Sequence, residues 1–231
     1  MEGRGPAAGM PRGSALGRQA RGHRFGFVLL LVLGYACFQV AAPDDAWARF
    51  VTILLGAGTL LAAVWAARAE RLVARAAAAA AVVVAATAGI YLAVAGSVPV
   101  LLAAIANGLL VAITPLVIVG AIVRNIRADR AVTLYTLSGV LAIYLLAGMF
   151  FSFLYAAIDA VDDGNFFAQI SDPGRSDFLY FSYITLSTTG YGDLTPAPNL
   201  GRTLAMAEAL FGQIYLVTIV AVIVANLRPR R

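Results

Sequence analysis

The sequence predicts an all-α membrane protein with six transmembrane helices and a re-entrant segment between the fifth and sixth helices. Composition gives the first two observations: 61% of the 231 residues are hydrophobic and only 13% are charged, and the mean hydropathy is +0.85. A soluble domain of this size needs more charged surface, because its exterior faces water. The third observation is a series of uncharged runs, each reaching the roughly 17 residues that a helix needs to cross the hydrocarbon.

These runs define the six helices in order. Apart from Glu208, no charged residue occurs in 25–43, 50–67, 76–123, 131–158 and 203–227. The third run is too long for one crossing, and Gly96-Ser97-Val98-Pro99 marks a turn within it, because Gly and Pro interrupt regular structure. The predicted crossings are roughly 25–42, 49–67, 73–95, 99–123, 132–157 and 202–227.

The chain divides into three predicted parts. Residues 1–24 are rich in Gly, Pro and Arg, which is typical of a disordered basic tail. Residues 25–130 form a four-helix membrane domain, and 131–231 form a second membrane domain. The start of the chain also resembles a secretory signal, but the bulky Tyr35 fits a cleavage site poorly, so we expect the first helix to be retained.

The arginines predict the orientation. If the N-terminus is cytoplasmic, 14 of the 17 arginines face the cytoplasm, and only Arg49, Arg175 and Arg202 lie outside. Positive charge is retained on the inner side, so a multi-pass protein of the cell membrane with both termini cytoplasmic is expected. The net charge of +5 then faces anionic lipid and does not indicate a nucleic-acid partner.

An uncharged stretch of 15 residues, Phe178 to Gly192, separates the fifth and sixth helices. It is too short to cross and return, yet too apolar for an ordinary outer loop. Irregular backbone at membrane depth is tolerated only where protein buries it or a water-filled cavity adjoins it. We therefore predict a short descending helix over 178–187, capped by Ser176 or Asp177, and an extended return.

The return reads Thr188-Thr189-Gly190-Tyr191-Gly192-Asp193. Gly190 and Gly192 adopt positive φ without penalty, and alternating ordinary and left-handed residues turn successive carbonyls to the same side. Four such strands around an axis stack rings of carbonyl oxygen above a ring of Thr188 hydroxyls, and such rings replace the water shell of a monovalent cation. The C-terminal end of the short helix favours a cation in the cavity below. Gly-Tyr-Gly-Asp alone also suits a plain turn, but its re-entrant setting favours the ion-binding interpretation.

Residues 131–227 resemble the pore domain of tetrameric potassium channels, and TTGYGD is similar to that family's selectivity-filter signature, with Thr189 where Val is most frequent. Leu194-Thr195-Pro196, Gly201-Arg202 and Gly212 continue the resemblance. It implies a prokaryotic subunit with a re-entrant pore helix and a filter, and makes 131–231 the pore domain. The implied filter residues are Thr188, Thr189, Gly190, Tyr191 and Gly192, with K⁺ held at the first four.

The implied partners are copies of the same chain, membrane lipid and K⁺. One filter segment occurs per chain, and four are needed to close a ring, so a homotetramer is expected. No cofactor is expected, K⁺ being the permeant ion.

Three supporting residues are predicted around the filter. Tyr180 is placed to bond Asp193 through its hydroxyl, or else anchors the short helix at the interface. Glu208 is the only acid within a span, which makes it a functional candidate. We favour a protonated, structural carboxyl that bonds Thr185 or Ser182.

The sixth helix carries a predicted hinge and a predicted lining. Gly212 occupies the position of a flexible glycine in the family, and Leu216, Val220 and Val224 recur every fourth residue and share a face. If that face lines the pore, the inner entrance is apolar and closes by dewetting. The same four positions also suit helix packing.

The first four helices lack a voltage sensor. Voltage-gated relatives carry Arg at every third position of the fourth helix, whereas residues 99–123 are uncharged and Pro115 interrupts their centre. We predict weak voltage dependence, and scaffold, lipid contact and partner binding remain open as roles for these helices.

Two alternatives within transport are a weakly selective monovalent cation channel and the membrane subunit of a potassium uptake system. An enzyme is not expected, because the sole histidine, His23, lies in the tail and the chain has no Lys. The single cysteine, Cys37, argues against a zinc or iron cluster.

Overall fold

The computed structural model of the chain describes residues 13–129, 134–162 and 165–226. Within these residues, six helical stretches are long and apolar enough to cross a membrane, which confirms the predicted six-span, all-helical fold. The spans are Arg24–Ala41, Ala46–Ala67, Arg71–Ala95, Val100–Arg124, Thr136–Val161 and Asn199–Ala225.

The helices follow the chain in order. They are α1 (Gly13–Ala41), α2 (Ala46–Ala67), α3 (Arg71–Ala95), α4 (Val100–Asp129), α5 (Leu134–Val161), α6 (Arg175–Leu186), α7 (Asn199–Ile214) and α8 (Ala221–Ala225). A π-helical segment, Tyr215–Val220, joins α7 to α8, so these three elements together form the last span.

The first helix begins earlier than expected. The sequence predicts a disordered tail over 1–24, but α1 is helical from Gly13, and residues 1–12 lie outside the described residues. Residues 15–21 consist mainly of Ala, Leu, Arg and Gln, which are strong helix formers, so the membrane helix extends through them.

The third and fourth helices meet at the predicted turn. α3 ends at Ala95, and Gly96 follows in the left-handed region with φ 68°. Pro115 does not interrupt α4, which contradicts the prediction. Proline removes one backbone donor, but membrane helices tolerate the loss because neighbouring helices and hydroxyl side chains compensate. Beside it, the Thr114 hydroxyl donates to the Leu110 carbonyl at 2.7 Å.

Helix α5 lies at the centre of the described structure. It packs against α1, α4, α6, α7 and the π segment, whereas α3 packs mainly against α2. The largest core cluster includes fully buried side chains from α1, α4 and α5, among them Val32, Ile118 and Leu146. Helices α1 and α4 therefore connect the first four helices to the helix that supports the re-entrant segment.

The re-entrant helix is present as α6, twelve residues long and too short to cross a membrane. It starts two to three residues before the predicted position: Gly174, and neither Ser176 nor Asp177, is the N-cap residue. The Asp177 carboxylate instead reaches back from the first turn and accepts a hydrogen bond from the Gly174 N–H at 2.9 Å. A carboxylate there satisfies a free donor and complements the helix dipole.

Candidate ion-binding site

The chain after α6 leaves the helix through a left-handed residue. Thr188 has φ 58°, and the N–H groups of Thr189 and Gly190 both donate to the Ile184 carbonyl, at 2.8 and 3.1 Å. This is the usual way in which a helix ends, although glycine normally occupies the left-handed position. A β-branched residue in that region costs about 1–3 kcal/mol and marks a site where the surroundings impose the conformation.

Positive φ then recurs at every second residue. Gly190 has φ 54° and Gly192 has φ 80°, while Thr189 and Tyr191 remain in the ordinary region. A Cβ atom at either glycine would meet nothing within 4 Å in the single chain, so backbone conformation and not space requires glycine. The alternation expected at both glycines is present, and the structure extends it to Thr188, which residue type alone gave no reason to expect.

The end of this segment is tied to α6. The Tyr180 hydroxyl donates to Asp193 Oδ2 at 2.7 Å, which is the bond that the sequence allowed. Donation to a carboxylate stabilises the neutral phenol and raises the pKa of Tyr180. This bond fixes the distance between the middle of α6 and the residue that follows Gly192.

Glu208 of α7 is fully buried behind α6. Its Oε1 lies 2.5 Å from the Ser182 hydroxyl, and the Tyr155 hydroxyl donates to Oε2 at 2.6 Å. Ser182, and not Thr185, is therefore the α6 hydroxyl that Glu208 contacts. The sequence interpretation missed Tyr155, although a tyrosine buried within a span needs a partner for its hydroxyl.

Aromatic side chains surround the upper part of α6. The Phe166 and Phe167 rings, from the loop before α6, pack against Phe178 and Phe181 at centroid distances of 5.3 to 6.2 Å. The same loop is joined to the chain after the alternating segment, because the Ala197 N–H donates to the Phe166 carbonyl at 2.8 Å. Sequence interpretation did not identify the contribution of this loop.

The C-terminal end of α6 contacts the last span. A Cβ atom at Gly212 would collide with the Leu186 carbonyl, so α7 and α6 approach closely here. The Tyr144 hydroxyl donates to the same carbonyl at 3.2 Å from the α5 side. Close packing between α6 and α7 therefore accounts for glycine at position 212, and its role as a hinge stays a prediction.

The predicted lining residues lie on an irregular helix. Leu216 and Val220 fall in the π segment and Val224 falls in α8, so the three do not follow one regular α-helical face. The Tyr215 hydroxyl anchors the segment by donating to the Val140 carbonyl at 2.7 Å. At the start of the alternating segment, the Thr188 hydroxyl lies 3.5 Å from Gln213 Oε1, a proximity that sequence interpretation did not identify.

Comparison with known proteins gives a family match over this region and partial matches to individual proteins. A family model described as "Ion channel" matches residues 139–228. The chain is 50% identical over 46 residues to "Probable potassium channel protein 2" of Methanocaldococcus jannaschii, which covers 19% of this chain and 13% of that protein. It is 52% identical over 44 residues to "Protein LctB" of Geobacillus stearothermophilus, covering 19% and 32% respectively.

The chain therefore spans less than a third of the length of either relative, and no solved structure matches it. The family match nevertheless covers α6, the alternating segment and the last span together. Residues 139–228 are therefore similar to an ion-channel family, and part of the chain is similar to a protein described as a potassium channel.

Proposed function

We propose that the chain is the subunit of a potassium-selective channel, a homotetramer that conducts K⁺ passively along its fourfold axis. The observation that carries this proposal is the positive φ at Thr188, Gly190 and Gly192, with ordinary φ at the residues between them. An ordinary strand points its carbonyls to alternate sides. This alternation instead turns successive carbonyls toward one side, where rings of them replace the hydration shell of K⁺.

The ions are held between carbonyl oxygens of Thr188, Thr189, Gly190 and Tyr191, and the Thr188 hydroxyl adds the innermost ring. Helix α6 ends immediately before these residues, at Leu186, so its C-terminal partial negative charge favours a cation below them. Each chain supplies one such segment, and a closed ring needs four, so the assembly is a homotetramer.

Conduction depends weakly on voltage. Moving one elementary charge through the membrane field is worth about 2.3 kcal/mol per 100 mV, and steep gating needs roughly three or four charges in each subunit. Residues 99–123 contribute none. The Arg124 guanidinium, at the end of the span, donates to the Ala67 carbonyl at 2.8 Å, which holds its charge at the membrane boundary.

The protein lies in the cell membrane with both termini in the cytoplasm, the orientation that retains most arginines inside. The loop before α6 and the Tyr180–Asp193 contact then face outward.

The test is flux through the purified protein in potassium-loaded liposomes. K⁺ and Rb⁺ should leave far faster than Na⁺, and mass photometry of the same preparation should give four chains per particle. Equal K⁺ and Na⁺ rates would support a weakly selective cation channel instead. Absence of any passive flux from folded protein would favour a subunit of an uptake system.

A further inference from the structure

The connection between α1 and α2 contacts the start of α6, although these segments are more than 130 residues apart. Arg175 Nε lies 2.7 Å from Asp44 Oδ1. Nη2 of the same guanidinium donates to the carbonyls of Ala42 and Pro43, at 3.2 and 2.5 Å. The backbone N–H of Arg175 also donates to Asp44 Oδ1, at 3.3 Å.

Asp44 therefore acts on the helix itself as well as on a side chain. The first N–H groups of a helix have no partner within it, and its N-terminus carries a partial positive charge. Asp177 satisfies the N–H of Gly174, and Asp44 satisfies the next N–H from the α1–α2 connection. One of the two carboxylates that complement the α6 N-terminus thus comes from the four-helix part of the chain.

The contact is tightly packed. The Arg175 side chain is only 15% exposed, compared with 47% for Asp44. At Gly174, whose φ of −81° suits any residue, a Cβ atom would lie 2.5 Å from Asp44 Oδ2. A larger residue at position 174 would therefore displace the Asp44 carboxylate from its present position.

A contribution to stability does not by itself explain why an arginine occupies position 175. Its Nη1 group is buried without an acceptor in the described residues, and an unpaired buried donor lowers stability. The remaining three N–H groups point at Asp44 and at two carbonyls, which defines the position of the guanidinium closely. This arrangement fits a residue that fixes a geometry.

We propose that Asp44 and Arg175 are positioning residues for the filter: the α1–α2 connection holds the N-terminus of α6 and thereby the conducting conformation of Thr188 to Gly192. The inference rests on the proposed function. Helix α6 has twelve residues, a rigid rod about 18 Å long, so a displacement at Arg175 reaches Thr188 at the other end. This assigns to the first four helices a mechanical role at the pore, and any ligand or lipid that moves the α1–α2 connection then alters conduction.

The experiment uses the full-length tetramer and compares Asp44→Ala, Arg175→Gln and the double variant with Asp45→Ala. Asp45 is the matched control, because it lies on the same connection and its side chain, among the described residues, bonds only the exposed Trp47 indole, at 3.3 Å. Loss of a charge-assisted contact should lower single-channel open probability about tenfold in each single variant. The double variant should be no worse than the more impaired single one, because both remove the same contact.

Thermal stability in K⁺ and in Na⁺ separates positioning from general stabilisation. Ions that bind only the folded filter raise the melting temperature of the tetramer. A positioning role predicts that Asp44→Ala reduces this K⁺-specific increase, whereas a merely structural contact lowers the melting temperature equally in both salts. If Asp44→Ala fails to assemble, the same two melting temperatures are measured for Asp44→Asn, which keeps the shape of the side chain and removes its charge.

If the wild type conducts K⁺ and both single variants behave like Asp45→Ala, the inference is overturned while the proposed function stands. Additive effects in the double variant would also overturn it. If the wild type shows neither selective flux nor K⁺-specific stabilisation, the proposed function fails and the inference falls with it.

Discussion

The Tyr155 hydroxyl donates a hydrogen bond of 2.6 Å to the buried carboxyl of Glu208 and so joins α5 to the last span. On its other side, this carboxyl lies 2.5 Å from the Ser182 hydroxyl, which lies 2.6 Å from the Gly148 carbonyl. Three contacts require three hydrogens, and the two hydroxyls supply one each. The arrangement is complete when the Glu208 carboxyl carries the third and donates it to Ser182.

The first prediction is that Glu208→Gln is nearly silent. The glutamine amide donates to Ser182 and its oxygen accepts from Tyr155, so all three contacts survive. Glu208→Ala leaves a cavity and unpartnered hydroxyls and should destabilise the protein by about 2–5 kcal/mol. Thermal unfolding and K⁺ flux are the measurements. A large shift in the pH dependence of open probability in Glu208→Gln would instead identify Glu208 as a sensor.

The second prediction is that Gly212→Ala lowers the stability of the folded protein and does not act on gating alone. The added methyl group meets the Leu186 carbonyl, and backbone cannot yield as a flexible side chain does, so a loss of about 1–3 kcal/mol is expected. Gly58→Ala is the control, because a Cβ atom at Gly58 meets nothing within 4 Å. A Gly212→Ala tetramer of normal melting temperature but altered open probability would show that Gly212 acts as a hinge.

The third prediction is a shallow conductance–voltage relation in symmetric K⁺. The α4 span carries no charge before Arg124, whose guanidinium is bonded to the Ala67 carbonyl. Planar bilayers should therefore give an effective gating charge well below the roughly three or four charges per subunit of steeply gated channels. A steep relation that is lost in Arg124→Gln with Arg127→Gln would show that this part of the chain senses voltage.

The fold was predictable because the preference of a segment for lipid or water depends on the residues of that segment alone. Uncharged runs located all six spans, and the 15-residue apolar stretch was too short for a seventh, so it predicted the re-entrant segment. Because glycine adopts positive φ freely, the sequence likewise indicated the positive φ angles at Gly190 and Gly192. The predicted start of α6 was wrong by a few residues. The N-cap residue is Gly174, which has no side chain that could mark it as a cap in the sequence.

The partners between helices were not predictable from the sequence, because they depend on how each helix is rotated and how deep it lies. Tyr155 is 53 residues from Glu208, and Asp44 is 131 residues from Arg175. No local pattern indicates either pair. The π segment is a similar case: nothing in Tyr215–Val220 marks a change of helical pitch, so the regular four-residue spacing of the predicted lining suggested a continuous α-helix.

The most direct measurement is the reversal potential with K⁺ on one side of a bilayer and Na⁺ on the other, for the wild type, Gly190→Ala and Gly96→Ala. Both glycines have positive φ, 54° and 68°, and open space around a Cβ atom, so alanine carries a similar backbone cost of roughly 1–2 kcal/mol at each. Only Gly190 lies in the proposed filter. The account predicts strong K⁺ selectivity in the wild type and in Gly96→Ala, and loss of selective current in Gly190→Ala. Unchanged K⁺ selectivity in Gly190→Ala would contradict the assignment of Thr188 to Gly192 as the ion-binding segment.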